Sequence, residues 1–450
     1  MSVLVVLFLT AVLALFSGVY NQGKFARYIG ILGLLVALCV SFSPELAFFN
    51  QYKSMFDFNE NAALFTKISL VVTLLIFFLG GFAFNNHRSH QSELYSLMLF
   101  SLIGAVILFS FTNLVTLFLG IEILSIPLYV MAGSNKTDLR SNEASIKYFL
   151  MGAFATGFLL FGIALIHVIN TFSVANPKDL MFVMGIMLML VAMAFKVSLA
   201  PFHMWSPDVY QGAPSLITAF MASVVKIAAF FAFFKVMNLA FAGSIKEWIN
   251  ILGVLVIITL LLANAMGLAQ TNAKRMLAYS SVSHAGYLGL IFFGANSLSV
   301  YNLAFYLFAY SLATVGVFMT LIWVEKLKRE TSFEAFKGLA KSEPLLAVVT
   351  AVSLLSMAGI PLTAGFVAKF NIFAQAMNGA AFLVLIAVIG SALSIAYYLK
   401  LIISMFFHTE TTFKSSEKVS ITYNIIAVFI IVAILAIGIY PDLFKVQFGL

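Results

Sequence analysis

Four charged side chains lie within stretches of sequence that are otherwise apolar. Glu122 stands in LVTLFLGIEILSIPLYV and Lys226 in SLITAFMASVVKIAAFFAFF, whereas Lys196 and Lys369 lie near positions where proline or glycine interrupts an apolar run. If these stretches span a bilayer, each charge at mid-membrane costs roughly 2.5–3.5 kcal/mol, or on the order of 10 kcal/mol for all four. Such a cost indicates that the charges have a function inside the membrane.

The chemistry open to these residues is ion pairing or proton transfer. As a structural alternative, Glu122 and one lysine form a neutralising pair that holds two helices together. That pair leaves two lysines without a counter-charge, and low-dielectric surroundings favour the neutral form of such a lysine. Groups that gain and lose protons inside a membrane are what a proton pathway requires. The sequence therefore favours a pathway through Glu122, Lys196, Lys226 and Lys369.

Three further titratable residues are candidates for the same pathway. Lys147 follows Glu143 by one helical turn, His203 lies just after an interruption, and His284 lies in LAYSSVSHAGYLGL. Histidine titrates near neutral pH and could pass protons between lysines, or each histidine could simply be hydrogen-bonded inside a helix bundle. The polar face from Tyr279 to His284 could likewise order water or bind a neighbouring helix.

The composition excludes a soluble protein. The 450 residues are 62% hydrophobic and 9% charged, whereas soluble domains have about 25% charged residues. The net charge of +8 does not indicate nucleic-acid binding, because membrane proteins concentrate Lys and Arg in their loops. Cys39 is the single cysteine, and there is no phosphate-binding glycine loop, nucleotide fingerprint or His/Glu cluster at metal spacing. We therefore expect this chain to bind no cofactor and no metal.

Apolar runs bounded by charged or turn residues predict an all-α polytopic membrane protein, with residues 1–450 forming a single membrane domain. About fourteen transmembrane helices are expected, at 3–20, 28–43, 63–84, 94–111, 114–132, 144–169, 181–200, 214–237, 249–269, 275–293, 300–323, 344–378, 381–407 and 420–440. The segment from Glu325 to Glu343 is the longest connection and is expected to be a loop with room for a short surface helix.

The orientation follows from the positive charges, which concentrate on the cytoplasmic side. One set of alternate loops holds fourteen of them: Lys24, Arg27, Arg88, Lys136, Arg140, Lys274, Arg275, Lys326, Lys328, Arg329, Lys337, Lys341, Lys414 and Lys418. The other set holds four: Lys53, Lys178, Lys246 and Lys445. This asymmetry predicts that both termini face the periplasm.

Two segments depart from the simple pattern of helix and loop. One apolar run is interrupted at Pro201, and the run 344–378, too long for one upright span, is interrupted at Gly359 and Pro361. Proline breaks a membrane helix, and the freed backbone is tolerated only inside protein or beside a cavity. Interrupted helices at corresponding positions of two halves are typical of transporters with internal repeats. We predict two broken helices and two inverted five-helix repeats, spanning 94–237 and 249–407.

Three long motifs carry a resemblance to a known family. They are FKVSLAPFHMWSPDVYQGAPSLITAFMASVVKIAAF at 195–230, KRMLAYSSVSHAGYLGL at 274–290 and GIPLTAGFVAKF at 359–370. They resemble the seventh and eighth, tenth and twelfth helices of the antiporter-like membrane subunits of respiratory complex I. This family is shared with multisubunit cation/proton antiporters and membrane-bound hydrogenases. Within this family, the combination of Lys369 and KRMLAYSSVSHAGY in the tenth helix most resembles the N subunits, whereas M subunits typically have glutamate at the position of Lys369.

The resemblance implies a role for each candidate residue and for the whole chain. Glu122 and Lys196 would form an interacting pair, Lys226 a central relay, Lys369 the terminal proton site and Lys147 an accessory site. The chain would be a non-redox, proton-translocating subunit of NADH:quinone oxidoreductase, coupled to quinone reduction elsewhere in the complex and thus part of a translocase.

The resemblance also implies partners and a location. The expected partners are the lipid bilayer, neighbouring antiporter-like subunits and small membrane subunits of complex I, with no nucleic acid. The expected location is the bacterial inner membrane. Two alternatives stay open: a subunit of a multisubunit sodium/proton antiporter, and a non-transporting scaffold whose charges only bind adjacent subunits.

Overall fold

The chain folds into a bundle of long helices. The computed structural model describes residues 1–19, 23–43, 51–83, 90–172, 180–407 and 419–448. Within these ranges the regular structure is helical, and the only extended pairing consists of isolated bridges between Phe56 and Phe111 and between Asn272 and Ser332. The predicted all-α fold is confirmed.

The helices, in chain order, have the following bounds. They are α1 Ser2–Val19, α2 Gly23–Val40, α3 Glu60–Ala83, α4 Gln91–Ser110, α5 Leu114–Ala132, α6 Leu139–Phe172, α7 Leu180–Val197, α8 Trp205–Gly212, α9 Ser215–Phe220, α10 Lys226–Phe234, α11 Ile245–Leu268, α12 Ala273–Gly289, α13 Ser299–Lys328, α14 Leu339–Ser342, α15 Pro344–Ala358, α16 Ala364–Phe407, α17 Ile421–Ile439 and α18 Asp442–Phe448. A π-helical turn at Met221–Val225 joins α9 to α10 in one continuous helix.

The predicted spans coincide with these helices. In the described part of the chain, eleven helices are long and apolar enough to cross a membrane, and Phe25–Val40 and Pro344–Ala358 are shorter apolar helices. Ala380 has non-helical backbone angles and divides the 44-residue α16, at the boundary that the sequence predicts between its twelfth and thirteenth spans. α12 has 17 residues and many hydroxyl groups, so it is the least apolar of the predicted spans.

Both predicted helix breaks are present. α7 ends at Val197 and α8 begins at Trp205, while α15 ends at Ala358 and α16 begins at Ala364. Each break contains a non-glycine residue with positive φ, Ser198 at 64° and Leu362 at 71°, a conformation that costs free energy and clusters at functional sites. At the first break the Ala200 N–H donates to Thr259 Oγ1 at 2.8 Å, so a hydroxyl on α11 replaces a lost helical partner.

One positive charge that the sequence places in a loop is buried. Lys274 is the second residue of α12 and is 2% exposed. Its Nζ donates to the Ala213 carbonyl at 2.7 Å and pairs with Glu325 at 3.2 Å. The position of a lysine near a helix end in the sequence does not show how deeply its side chain is buried. Here the end of α13 supplies the Glu325 carboxylate, which pairs with Lys274 inside the protein. Lys274 is therefore no evidence for orientation.

The connection from Glu325 to Glu343 is more ordered than a simple loop. α13 continues to Lys328, and a short 3₁₀ helix at Phe333–Phe336 and the four-residue α14 follow it. Arg88, Lys178, Lys414 and Lys418, which also enter the predicted orientation, lie outside the described residues. The orientation and the repeats at 94–237 and 249–407 stay predictions.

Cysteine labelling tests the orientation. Cys39 is exposed and is the only cysteine of the chain, so a Cys39→Ser background leaves no thiol. Lys53 and Glu330 are exposed and suit single replacements by cysteine. In intact cells a membrane-impermeant reagent should label Lys53→Cys but not Glu330→Cys, and Glu330→Cys should react only after the cells are opened. The reverse pattern would invert the topology.

Candidate functional site

Lys196 lies at the end of α7, immediately before the first break, and faces α5. Its Nζ donates to Ser125 Oγ at 2.9 Å and lies 3.3 Å from Tyr129 Oη. Glu122, Ser125 and Tyr129 are spaced so that they share one face of α5. Glu122 Oε1 has no hydrogen-bond partner among the described residues. Lys196 therefore contacts the face of α5 that carries Glu122. The two residues of the expected pair are not in direct contact with each other.

Lys226 is buried at the start of α10, directly after the π-helical turn. Its side chain is 4% exposed, and its Nζ donates to the carbonyl oxygen of Ser281 and, at 2.6 Å, to Ser281 Oγ. The Tyr310 ring centroid lies 5.6 Å from Nζ. In the described part of the chain Lys226 has no carboxylate partner, so all its contacts are neutral. Single π-helical turns of this kind recur at functional sites.

Lys369 is buried at the second break. Its Nζ donates to the Ala358 carbonyl at 3.0 Å and to Ser391 Oγ at 2.8 Å. The Tyr287 ring centroid lies 4.6 Å away. The absence of a side chain at Gly359 allows this approach, because a Cβ there would lie 3.0 Å from Lys369 Cδ. The break therefore supplies the carbonyl that holds the ammonium group.

His284 lies between Lys226 and Lys369. Its Nδ1 is 2.8 Å from Tyr306 Oη and its Nε2 is 3.4 Å from Tyr398 Oη. Its ring centroid is 4.6 Å from that of Tyr310 and 5.7 Å from that of Tyr287. Because Tyr310 also borders Lys226 and Tyr287 borders Lys369, ring contacts through His284 link the surroundings of the two lysines, although Tyr287 Oη has no hydrogen-bond partner among the described residues.

A small cavity adjoins this connection. It measures about 10 Å³ and is lined by His284, Tyr306, Tyr310, Ser356 and Gly365, among others. That volume is close to the smallest that holds one water molecule. A single water at this point would extend the hydrogen-bonded chain from His284 toward the second break.

The other candidate residues lie in different surroundings. His203 is buried in the first break, its Nδ1 has no hydrogen-bond partner among the described residues, and its ring centroid is 6.5 Å from that of Tyr279. Lys147 pairs with Glu143 at 2.6 Å and with Asp208 at 2.7 Å. The structure therefore separates Lys147, which has two acidic partners, from the three lysines that have neutral partners.

The remaining lysines of the spans have simpler roles. Lys67, Lys235 and Lys400 donate to the backbone carbonyls of Phe448, Phe111 and Leu268. All three acceptors lie at or beside helix ends, where carbonyl groups lack a partner within the helix. These contacts account for the three lysines without any transfer chemistry.

Sequence reasoning missed the aromatic partners of the site. Tyr306 and Tyr310 lie one turn apart on α13 and Tyr287 lies on α12, and all three are buried. The spacing of Tyr306 and Tyr310 was a readable signal, because residues four apart share a helix face.

Within the described residues no group of three or more His, Cys, Asp or Glu side chains could hold a metal ion.

Comparison with known proteins identifies the family. The family model described as "NADH:quinone oxidoreductase/Mrp antiporter, TM" matches residues 110–394. The NADH-quinone oxidoreductase subunit N of Cytophaga hutchinsonii is 40% identical over 424 residues, which cover 92% of each chain. That of Flavobacterium psychrophilum is 35% identical over 457 residues, covering 98% of this chain and 99% of the relative.

Solved structures agree with these relatives. A chain of respiratory complex I from Thermus thermophilus with bound Aureothin superposes with a TM-score of 0.81 at 32% identity, covering 98% of both chains. A chain of the Mrp complex from Dietzia sp. DQ12-45-1b has a TM-score of 0.82 at 20% identity, covering 100% of this chain and 97% of its own, and shows the shared fold. The chain therefore belongs to the NADH:quinone oxidoreductase/Mrp antiporter family of membrane proteins, in which its curated relatives are subunits N of NADH-quinone oxidoreductase.

Proposed function

We propose that the chain translocates protons across the bacterial inner membrane as a subunit of an NADH:quinone oxidoreductase. Quinone reduction elsewhere in that complex drives the transfer, and neighbouring membrane subunits are its partners. One observation carries the proposal. Lys226 and Lys369 are buried with neutral partners only, and His284 with its tyrosine neighbours bridges the distance between them.

The side chains between the two lysines can pass a proton by short steps. A tyrosine hydroxyl both donates and accepts a hydrogen bond, and a histidine can accept a proton at one ring nitrogen while it releases one from the other. His284 has a tyrosine hydroxyl near each ring nitrogen. A proton that leaves Lys226 would pass by way of Tyr310, His284 and Tyr287 to Lys369, from which it would be released to the periplasm.

Glu122 and Lys196 would control when the proton enters this series. A carboxylate close to an ammonium group favours the protonated lysine, and separation of the two removes that preference. Ser125 and Tyr129 hold Lys196 on the same helix face as Glu122, so a small shift between α5 and α7 changes the distance. Coupled groups of this kind titrate as a set rather than one by one.

A subunit of a sodium/proton antiporter is the second candidate, because the description of the matching family model names the Mrp antiporter beside NADH:quinone oxidoreductase. The two functions differ in the driving force. Membrane vesicles that contain the complex should accumulate protons when NADH is added, without any requirement for sodium. Dissipation of an imposed pH gradient by added sodium, without NADH, would instead support the antiporter.

Replacement of Glu122 tests the control step. Glu122→Gln removes the charge at nearly constant shape, and we expect NADH-driven proton uptake to fall at least about tenfold, as for loss of an acid–base group. Glu60→Gln is the matched control, because Glu60 is an exposed carboxylate in the first turn of α3 and should leave uptake unchanged. Equal uptake by both variants at matched amounts of assembled complex would exclude Glu122.

A further inference from the structure

A charged cleft opens where α6, α8 and the start of α12 meet. It has a volume of about 210 Å³ and is lined by Arg140, Glu143, Asp208, Gln211 and Arg275, together with Ala144 and Gly212. A cavity of this size and polarity holds several water molecules. The cleft is therefore large and polar enough to hydrate this end of the bundle.

Asp208 is the centre of the charged network in this cleft. Its two carboxylate oxygens accept from Lys147 at 2.7 Å and from Arg275 at 2.8 Å. Arg275 also donates to Gln211 at 3.0 Å. The network therefore joins α6, α8 and α12 through one carboxylate.

A series of three aromatic rings connects the neighbourhood of the charged network with Lys196. Tyr148 directly follows Lys147, and its ring is stacked on Trp205 with centroids 4.7 Å apart and planes 8° from parallel. The edge of Tyr129 meets Tyr148 at 4.8 Å and 88°. On the far side the hydroxyl of Tyr129 contacts Lys196. All three rings are buried and none of them lines the cleft, so the stack is packed protein beyond the open volume.

The network and the stack are mechanically linked. Lys147 and Tyr148 are neighbours in α6, and Asp208 lies one turn after Trp205 in α8. The ion pair of Lys147 and Asp208 therefore connects the turn of α6 that carries Tyr148 to the turn of α8 that carries Trp205. Trp205 Nε1 also donates to the Phe195 carbonyl at 3.1 Å, one residue before Lys196, so movement of the indole reaches the buried lysine.

We propose that Tyr148 and Trp205 form a gate between the charged cleft and Lys196, and that the Lys147–Asp208 ion pair holds the gate shut. Tightly packed apolar rings exclude the water chain that a proton needs, which is how hydrophobic constrictions close other membrane pathways. This inference rests on the proposed function, since it makes the cleft the place where protons are taken up. The orientation predicted from the loop charges puts the cleft on the cytoplasmic side.

The test measures access of water-soluble reagents to a position behind the gate. In the Cys39→Ser background, Ser125→Cys places a thiol beside Lys196 in the assembled complex. We expect a small cationic thiol reagent added from the cytoplasmic side to modify this thiol at least about tenfold faster when Tyr148 is also replaced by alanine, because modification follows the open population. Tyr148→Phe keeps the ring and should leave the rate unchanged.

A matched control and a second variant complete the design. Phe154→Ala truncates an exposed ring on the same helix and should leave the modification rate unchanged. Trp205→Leu removes the other stacked ring and should raise the rate, which covers the case in which Tyr148→Ala does not assemble. Equal rates for the alanine and phenylalanine variants at Tyr148, or no increase with Trp205→Leu, would overturn the gate.

The readout is independent of proton transport. Faster modification in the gate variants, combined with normal NADH-driven uptake after substitution of Lys226, would support the gate and contradict the proposed function. An unchanged modification rate in Tyr148→Phe supports the gate formed by the ring even if uptake is lost, in which case the hydroxyl has a separate role in proton transfer.

Discussion

Replacement of Lys226 by alanine is expected to reduce NADH-driven proton translocation at least about tenfold while the complex still assembles. Lys226 is buried, its contacts are the carbonyl and hydroxyl of Ser281, and no carboxylate pairs with it among the described residues. The substitution therefore leaves no opposite charge unpaired, which is the usual reason that loss of a buried lysine destabilises a protein. What disappears is the group that accepts and releases the proton.

The arginine variant separates a relay from a structural charge. A guanidinium group keeps its proton at any physiological pH, so Lys226→Arg should translocate nearly as poorly as the alanine variant. Lys226→Met, which keeps the length and apolar packing of the side chain, controls for volume. If Lys226 is instead a structural charge, the arginine variant should assemble and translocate protons, and both neutral variants should assemble poorly. The measurement is proton uptake by vesicles at matched amounts of assembled complex, and full uptake by the arginine variant would exclude the relay.

The helices and their two breaks could be predicted from the sequence because they depend on local chemistry. Apolar runs of about 20 residues have few alternatives in a bilayer, and Pro201, Gly359 and Pro361 cannot continue a regular helix without lost hydrogen bonds or an unusual backbone. The boundary near Ala380, between the twelfth and thirteenth predicted spans, could also be predicted, because the apolar run ends at Asn378 and Gly379. Each of these features is set by a few neighbouring residues.

The site was only partly predictable because its contacts join distant helices. The sequence singles out Lys226 and Lys369 by the cost of burying them, but it does not say that Ser281 and Ser391 receive their hydrogen bonds. The absence of a direct contact between Glu122 and Lys196 depends on the rotation of α5 against α7, which no local pattern encodes. Lys274 shows the same limit, since its burial depends on Glu325, 51 residues away.

Two kinds of lysine environment in this bundle have different consequences. Lys147 and Lys274 pair with carboxylates, and such pairs keep the lysine charged. Lys226 and Lys369 have only hydroxyl, carbonyl and aromatic contacts, which stabilise the charged form less. Paired lysines therefore suit the network around the cleft, and unpaired lysines suit proton transfer in the centre.

Replacement of Lys369 by alanine is expected to reduce translocation at least about tenfold, with assembly unchanged. The second break does not depend on this lysine alone, because Ser391 Oγ also donates to the Ala358 carbonyl, at 3.2 Å. The carbonyl that the break exposes thus keeps a partner after the substitution. Lys369→Glu should retain more translocation than Lys369→Ala, because a carboxyl group in the same position can also bind and release a proton.

Lys400→Ala is the matched control, in the part of α16 beyond the interruption at Ala380. Lys400 is exposed and donates to the Leu268 carbonyl at 2.6 Å. Its replacement therefore removes a lysine without changing a contact of the buried residues Lys226, His284 or Lys369. We expect wild-type proton uptake from this variant in the same vesicle assay. If Lys369→Ala and Lys400→Ala translocate equally well, Lys369 is not the terminal site, and the proton must leave the series at His284 or at Tyr287 instead.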